Sequence, residues 1–299
     1  MTTEGSSMTE IIVPEMSGKV IACIDASQYA ESVVDYAAWG ATRMNAPLSL
    51  LHVLDRDEGV GQYNLSGSIG FGAQENLWQE LAALDQQRAK LGLEQGKLML
   101  QGALGRAESR GVTNTETRQR HGELVDTLAE LTEETRMLVV GKRGSRTASA
   151  HGHIGSHLES IIRTVQKPIL IAQQSFCPPE KIMIAYDGSL TMRKGVQMVA
   201  ASPLFKGLPC HLVMVGADTD VSREQLGDAS KILQAAGFET LSHVIAGEPD
   251  TALPAYQQQE NIDLMIMGAY GHSRIRHLIV GSTTTAMISK TTISLMVLR

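Results

Sequence analysis

The chain has 299 residues, 43% of them hydrophobic and 19% charged, which fits a folded protein of about two domains and excludes a disordered chain. Its formal net charge is −6, from 26 Lys and Arg against 32 Asp and Glu, which argues against a dedicated nucleic-acid binder with a broad basic face. No apolar run approaches the ~20 residues that span a bilayer, and the polar stretch from Met1 to Glu10 lacks the apolar core of a signal peptide, so the expectation is a cytoplasmic protein with no membrane partner.

The first apolar run, Val20–Ile24, ends in Asp25-Ala-Ser27. Val33, Tyr36, Ala37 and Gly40 follow at helical spacing, and a second apolar run covers Leu48–Leu54. Gly59 to Gly72 is glycine-rich and reads as an exposed loop. After it comes a helical pattern, Leu77, Leu81, Leu84 and Leu91. Glu123 to Leu131 is a helix candidate leading into the strand Met137–Val140, which runs into Gly141-Lys-Arg-Gly144 and then Gly155-Ser156. Pro168–Ile171 is the last apolar run of this unit. Near Gln174 to Pro179 a Pro-Pro pair donates no backbone N–H and cannot continue a strand, so a boundary falls there.

The chain then repeats itself. Ile182-Met-Ile-Ala185-Tyr-Asp187-Gly-Ser189 matches the opening strand, and Leu264-Met-Ile-Met-Gly268-Ala-Tyr-Gly271 matches the glycine strand. Gly281-Ser282 matches Gly155-Ser156, and Ile293–Val297 matches the closing strand. Two domains are expected, 17–174 and 179–299. The first is longer, its excess lying between its second strand and its glycine loop. Near-continuous apolar strands separated by helical patterns mean a parallel sheet covered on both faces, hence two doubly wound α/β domains. Such units place their ligand crevice at the carboxyl ends of the strands, where both aspartates and both glycine pairs fall.

Gly268-Ala-Tyr-Gly271, nine residues, then Gly281-Ser282-Thr283 is the sharpest signal. Glycine after a strand admits phosphate close to backbone or a positive φ, and a helix opening at Gly281 would present free N–H groups to an anion. Arg274 and Arg276 lie between the two elements. No P-loop and no G-x-G-x-x-G fingerprint occurs.

Together these residues resemble the universal stress protein family, whose motif G-2x-G-9x-G-[ST] is met without a gap by Gly268, Gly271, Gly281 and Ser282. The Asp-x-Ser strand ends and Leu51-His-Val53-Leu are also family-like. The resemblance covers about residues 17–299 as two tandem copies. It implies Rossmann-like, adenine nucleotide α-hydrolase-like domains in a pseudo-two-fold pair. It further implies a stress-response binding or signalling module that takes ATP, with Mg²⁺ or Mn²⁺ bridging the phosphates, and at most slow hydrolysis. By the same resemblance Ala185 and Asp187 border the adenosine and the Val215 backbone reads the adenine edge. Gly268, Gly271 and His272 wrap the phosphates, and Gly281, Ser282 and Thr283 hold them from the helix end. Asp187 has a plainer reading as a turn-stabilising residue.

In the first unit Asp25, Val53, Gly141, Gly144, Gly155 and Ser156 take the matching positions, but ten residues rather than nine separate Gly144 from Gly155, and His157 stands where the second unit has a small Thr. Lys142, Arg143 and Arg146 are expected to supply charge there. The second unit is expected to bind more tightly. His151, His153 and His157 suggest a metal triad, yet no Cys or carboxylate completes one nearby, and no protein metal site is expected. Cys23, Cys177 and Cys210 are too few and too scattered for a disulfide framework, and Cys23 and Cys210 read as buried thiols. No catalytic residue stands out: His272 lacks a nucleophile and an orienting partner. Two other functions stay open. One is a nucleotide-free interaction scaffold. The other is an adenylyl-transferring enzyme, for which the glycine- and serine-rich loop after the first strand is missing.

Single-unit members of the family pair through their last strands, antiparallel about a two-fold axis. A tandem chain can satisfy that pairing internally, so Pro168–Ala172 and Ile293–Leu298 are expected side by side, with pairing between chains left open. Left uncovered, each would be an exposed apolar sheet edge.

Overall fold

The apolar runs become strands buried on both faces, as a parallel sheet requires. The computed structural model describes residues 17–54, 71–144, 156–269 and 282–299. The first unit contains β1 (Lys19–Cys23), α1 (Ala30–Met44), β2 (Leu48–Leu54), α2 (Phe71–Ser109), β3 (Thr115–His121), α3 (Leu124–Glu130), β4 (Thr135–Gly141), α4 (Ser156–Thr164) and β5 (Ile169–Ala172). The second contains β6 (Ile182–Ala185), α5 (Leu190–Ala201), a 3₁₀ turn (Pro203–Phe205), β7 (Cys210–Val215), α6 (Asp220–Ala235), β8 (Thr240–Ile245), α7 (Pro249–Glu260), β9 (Leu264–Gly268), α8 (Ser282–Lys290) and β10 (Ser294–Leu298).

All these strands form one sheet in the order β3-β2-β1-β4-β5-β10-β9-β6-β7-β8. Neighbours within each half are parallel. At the centre β5 and β10 run antiparallel, with Leu170 opposite Met296 and Ile171 opposite Leu295. The expected pairing of the two closing strands is present, and a pseudo-two-fold axis passes between them. The symmetry extends to the polar groups beside the seam. Gln173, just past β5, donates from Nε2 to the Ile293 carbonyl at 2.8 Å, beyond the end of α8. Arg299, just past β10, donates from Nη1 to the carbonyls of Ile162 and Arg163 at the end of α4. Each unit thus ties down the end of the other unit's last helix or the segment just past it.

The core has two layers, one on each face of the sheet. Leu170 and Met296 join the layer under α1, α2, α5 and α6, while Ile171 and Leu295 join the layer under α3, α4, α7 and α8. Both layers therefore run unbroken across the seam.

Three elements depart from the sequence reading. The strands β3 and β8 were not legible as apolar runs, because they are the sheet's edges. In β3, Thr115-Glu-Thr-Arg-Gln-Arg-His121, Glu116 pairs with Lys19 at 2.8 Å and Arg118 with Glu134 at 2.5 Å. Charge on an edge strand blocks pairing with another chain. The helix expected over Leu77 to Leu91 is much longer, Phe71–Ser109, and begins inside the stretch read as a loop. Gly96 lets it approach β2 and β3 closely: a Cβ there would stand 2.7 Å from His52 Cδ2 and 2.3 Å from Gln119 Nε2.

All three cysteines are free. Cys210 is buried and Cys177 exposed, while Cys23 is half-buried rather than buried. Burial pushes the Cys23 thiol up to about 12, and Asp25 adds to the shift.

A buried polar pair joins β7 to α7. His211, 3% exposed, shares a 2.8 Å hydrogen bond between Nδ1 and the Tyr256 hydroxyl, and His243 stacks on its ring at 6.3 Å. Burial lowers the His211 pKa below 6.5, and Lys181 and His243 act in the same direction against Glu260. The unfolded chain therefore binds a proton that the folded one refuses. This contribution to stability is complete above pH ~6.5 and is lost as pH falls toward the folded value, by at most ~1.4 kcal/mol per pH unit. Urea unfolding at pH 7.5 and 5.5 should show the loss, and His211→Phe should flatten it. An unchanged pH slope in that variant would assign the effect to other groups.

Candidate functional site

The carboxyl edge of each half-sheet gathers the residues that the sequence singled out. Asp25 and Asp187 follow β1 and β6. Asp25 Oδ1 accepts from the Ser27 N–H at 3.1 Å, and Asp187 Oδ1 from the Ser189 N–H at 3.0 Å, so both aspartates do hold a turn. Ser189 then caps α5, its side chain accepting from the Met192 N–H at 3.3 Å. The second turn contains Gly188 at φ +70°, a conformation that side chains rarely adopt, where the first has Ala26. Ala185, Val53 and Val215 lie at or beside the ends of β6, β2 and β7 and are half-buried.

Gly141 and Gly268 end β4 and β9. Gly141 packs against the turn after β1 and Gly268 against the first turn of α5, and neither has a positive φ. A Cβ on Gly141 would be 2.7 Å from Tyr29 Cβ, and one on Gly268 would be 3.4 Å from Met192 Sδ. At Gly141 the contact is too close for a Cβ, whereas at Gly268 it is an ordinary one. Gly144 behaves otherwise. A Cβ there would reach Asp25 Oδ2 at 3.2 Å, so the loop after β4 lies against the aspartate after β1 and its glycine keeps the carboxylate uncrowded.

In the second unit the helix end is tied to the strand end. Thr284, buried in the first turn of α8, donates from Oγ1 to the Ala269 carbonyl at 2.9 Å and the Gly268 carbonyl at 3.3 Å. Thr283, beside it, is exposed. The free N–H groups and partial positive charge of a helix N-terminus thus sit next to Gly268. Ser156 and Ser282 open α4 and α8. Gly155, Gly271, His272 and Gly281, with Arg146, Arg274, Arg276, His151 and His153, lie outside the described residues.

Lys142 does not serve the edge as expected. Its Nζ donates to the carbonyls of Thr291 at 2.8 Å and Ser289 at 3.1 Å, at the end of α8 in the other unit. Burial, with the Arg143 charge behind it, lowers its pKa. Two side chains at the second edge had no sequence signal. Arg193 donates from Nε to the Gly188 carbonyl at 3.0 Å, and a Cβ on Gly188 would stand 2.5 Å from Gln225 Oε1. Among the described residues, no group of three His, Cys, Asp or Glu could hold a metal, and no helix is long and apolar enough to cross a membrane.

An edge of this kind, repeated on two parallel half-sheets, defines a tandem doubly wound α/β protein. The family model of the universal stress protein family matches residues 16–173 and again 179–299. The chain belongs to the universal stress protein family. It is 37% identical to universal stress protein Slr1230 of Synechocystis over 94% of this chain and 99% of that one. A universal stress protein from Archaeoglobus fulgidus superposes with a TM-score of 0.65 at 18% identity, covering 95% of this chain and 97% of that chain. Another structure from that organism, a universal stress protein in complex with dAMP, covers 40% of this chain and 97% of its own at 19% identity and a TM-score of 0.33.

Proposed function

We propose that this chain is a cytoplasmic adenine-nucleotide-binding module of the stress response, with domains at 17–174 and 179–299 and its tighter site in the second. The observation that carries the reading is the joining of strand end and helix end by Thr284, which sets the α8 N-terminus beside Gly268. The residues present fit a nucleotide. Asp187, Ala185 and the Val215 backbone would border the nucleoside. Gly268, Gly271 and His272 would meet the phosphates from one side, and Gly281, Ser282 and Thr283 from the other. Mg²⁺ or Mn²⁺ would be held chiefly by phosphate oxygens, since such cations keep several waters and few protein ligands. In the first unit Asp25, Val53, Gly141, Gly144, Gly155 and Ser156 would form the weaker site. It lacks Lys142, whose ammonium serves α8.

Titration calorimetry with ATP and Mg²⁺ tests this. Gly271→Val should weaken binding by the second unit ~100-fold or more, because in the proposed site a β-branched side chain would stand where the phosphates bind. The melting temperature should change little. Equal affinity in wild type and variant would overturn the site. The nucleotide-free scaffold is the second reading, favoured by the packing against Tyr29 that by itself accounts for Gly141. No heat with ATP, and no nucleotide released on denaturing the purified protein, would establish it.

A further inference from the structure

The two sides of the pseudo-two-fold axis differ in how the seam is covered. On one side the chain leaves β5, crosses the seam through residues 173–181 and enters β6. This linker packs on α1. The Tyr36 hydroxyl donates to the Cys177 carbonyl at 3.1 Å, and the Tyr36 ring meets Phe176 edge-on at 4.7 Å. Asp263, just before β9, accepts from the N–H groups of Glu180 at 3.0 Å and Lys181 at 2.9 Å.

The repeat gives each of these residues a counterpart. The spacing that relates Asp25 to Asp187 also relates Tyr36 to Met198, and the spacing that relates Gly141 to Gly268 relates Arg136 to Asp263. On this second side Met198 and Arg136 line a partly open cavity of about 50 Å³, with Met44, Phe205, Met296 and Leu298. At ~10–15 Å³ for each water-sized group, it takes about four heavy atoms, the size of one branched aliphatic side chain. Arg136 donates to the Met44 carbonyl at 3.2 Å, and no carboxylate among the described residues pairs with it. A half-buried guanidinium without an anion is costly, and a carboxylate beside it offsets that cost.

The counterpart of the linker is the stretch that leads into β1. A Cβ on Gly18 would stand 3.1 Å from the Arg136 backbone nitrogen, so the chain enters β1 against Arg136 as the linker enters β6 against Asp263. Counted back in step, Pro14 is the counterpart of Phe176 and Ile12 that of Gln174. The stretch reads Ile11-Ile-Val-Pro-Glu15-Met16, apolar except for one acid.

We infer that residues 11–16 of this chain, which lie outside the described residues, cover the cavity as the linker covers Tyr36. Ile12 enters the cavity, Pro14 packs on Met198, and the Glu15 carboxylate pairs with the Arg136 guanidinium. The tether selects this occupant over a second copy or a free small acid. The stretch is fixed at Gly18 beside one wall of the cavity, six extended residues reach ~20 Å, and a short tether holds its residues at an effective concentration in the millimolar range. It also brings both things that the cavity lacks, a branched aliphatic side chain and a negative charge.

Amide hydrogen exchange of the full chain reads the docking. The amides of Ile12, Val13 and Glu15 should exchange ~10-fold or more below their unstructured rates. Arg136→Glu and Glu15→Arg should each abolish that protection, and the two together should restore it. A merely structural role for Arg136 would not produce the rescue. In a Cys177→Ser background, Ile12→Cys combined with Met198→Cys should form a disulfide within one chain. Wild-type amides over residues 11–16 at their unstructured rates overturn the inference. So does a disulfide formed only between chains, as a second copy would give. A small organic acid that copurifies with the wild type and not with Arg136→Glu would also overturn it.

Discussion

Met296→Asp is expected to destabilise the half of the molecule to which it does not belong. Met296 is 2% exposed, and its partner Leu170, opposite it across the seam, is 0% exposed. An aspartate there enters a small cavity lined mainly by apolar side chains, with Arg136 and Ser202 the polar exceptions, so the charge is buried at a cost that they offset only in part, or the seam opens to hydrate it. The cost should be on the order of 5 kcal/mol, among the largest that single substitutions produce. Because the core layer under α1 and α5 is continuous through Leu170 and Met296, the loss should be felt by both units. Amide hydrogen exchange reads this directly: β1 and β4 in the first unit should lose protection together with β6 and β9 in the second. Met296→Leu, which conserves volume, should cost less than ~1.5 kcal/mol. Protection lost only in the second unit would mean that the seam does not couple the halves.

The second large effect lies between α1 and α2. Asp35 is 2% exposed and accepts hydrogen bonds from both guanidinium groups of Arg106 and Arg110, with distances of 2.8–3.0 Å. Burial alone would raise its pKa, but the two arginines outweigh burial and hold the carboxyl below its ordinary value. Removing one arginine leaves the other to cover the charge, so Arg106→Ala or Arg110→Ala alone should be mild. Removing both strands a buried carboxylate and should cost ~3–5 kcal/mol, well beyond the sum of the single losses. The pH dependence gives a second readout. In the wild type the folded pKa is depressed, so this contribution holds above pH ~4 and is lost as pH falls through the folded value. In the double variant only burial acts on Asp35, its pKa rises, and the deficit should shrink as pH falls from 7 toward 4. Additive losses, or a deficit independent of pH, would show that the carboxylate is solvated by other means.

The candidate edge was more legible than the fold around it. Asp25, Asp187, Gly141 and Gly268 are found at strand ends because a strand buried on both faces must be apolar until it stops, and the first polar or glycine residue marks that stop. Their detailed roles were less legible. Gly141 is demanded by its packing against Tyr29 and Gly268 lies beside Met192, and such contacts join residues far apart in the chain. Lys142 was misread for the same reason: nothing within the first unit reveals that the end of α8 lies within reach of its ammonium.

By itself, the sequence determined that the chain is a tandem repeat of doubly wound units, where their apolar strands run, and that the closing strands need a partner. These features rest on local periodicity and on a hydrophobic edge that water disfavours. The tertiary structure alone decided the rest. The register that sets Leu170 against Met296 depends on how two complete half-sheets meet. The polar strands β3 and β8 are strands only because a neighbour supplies their hydrogen bonds. The reach of α2 beyond the sheet follows from a mismatch between helix and strand lengths that emerges only when both are packed together.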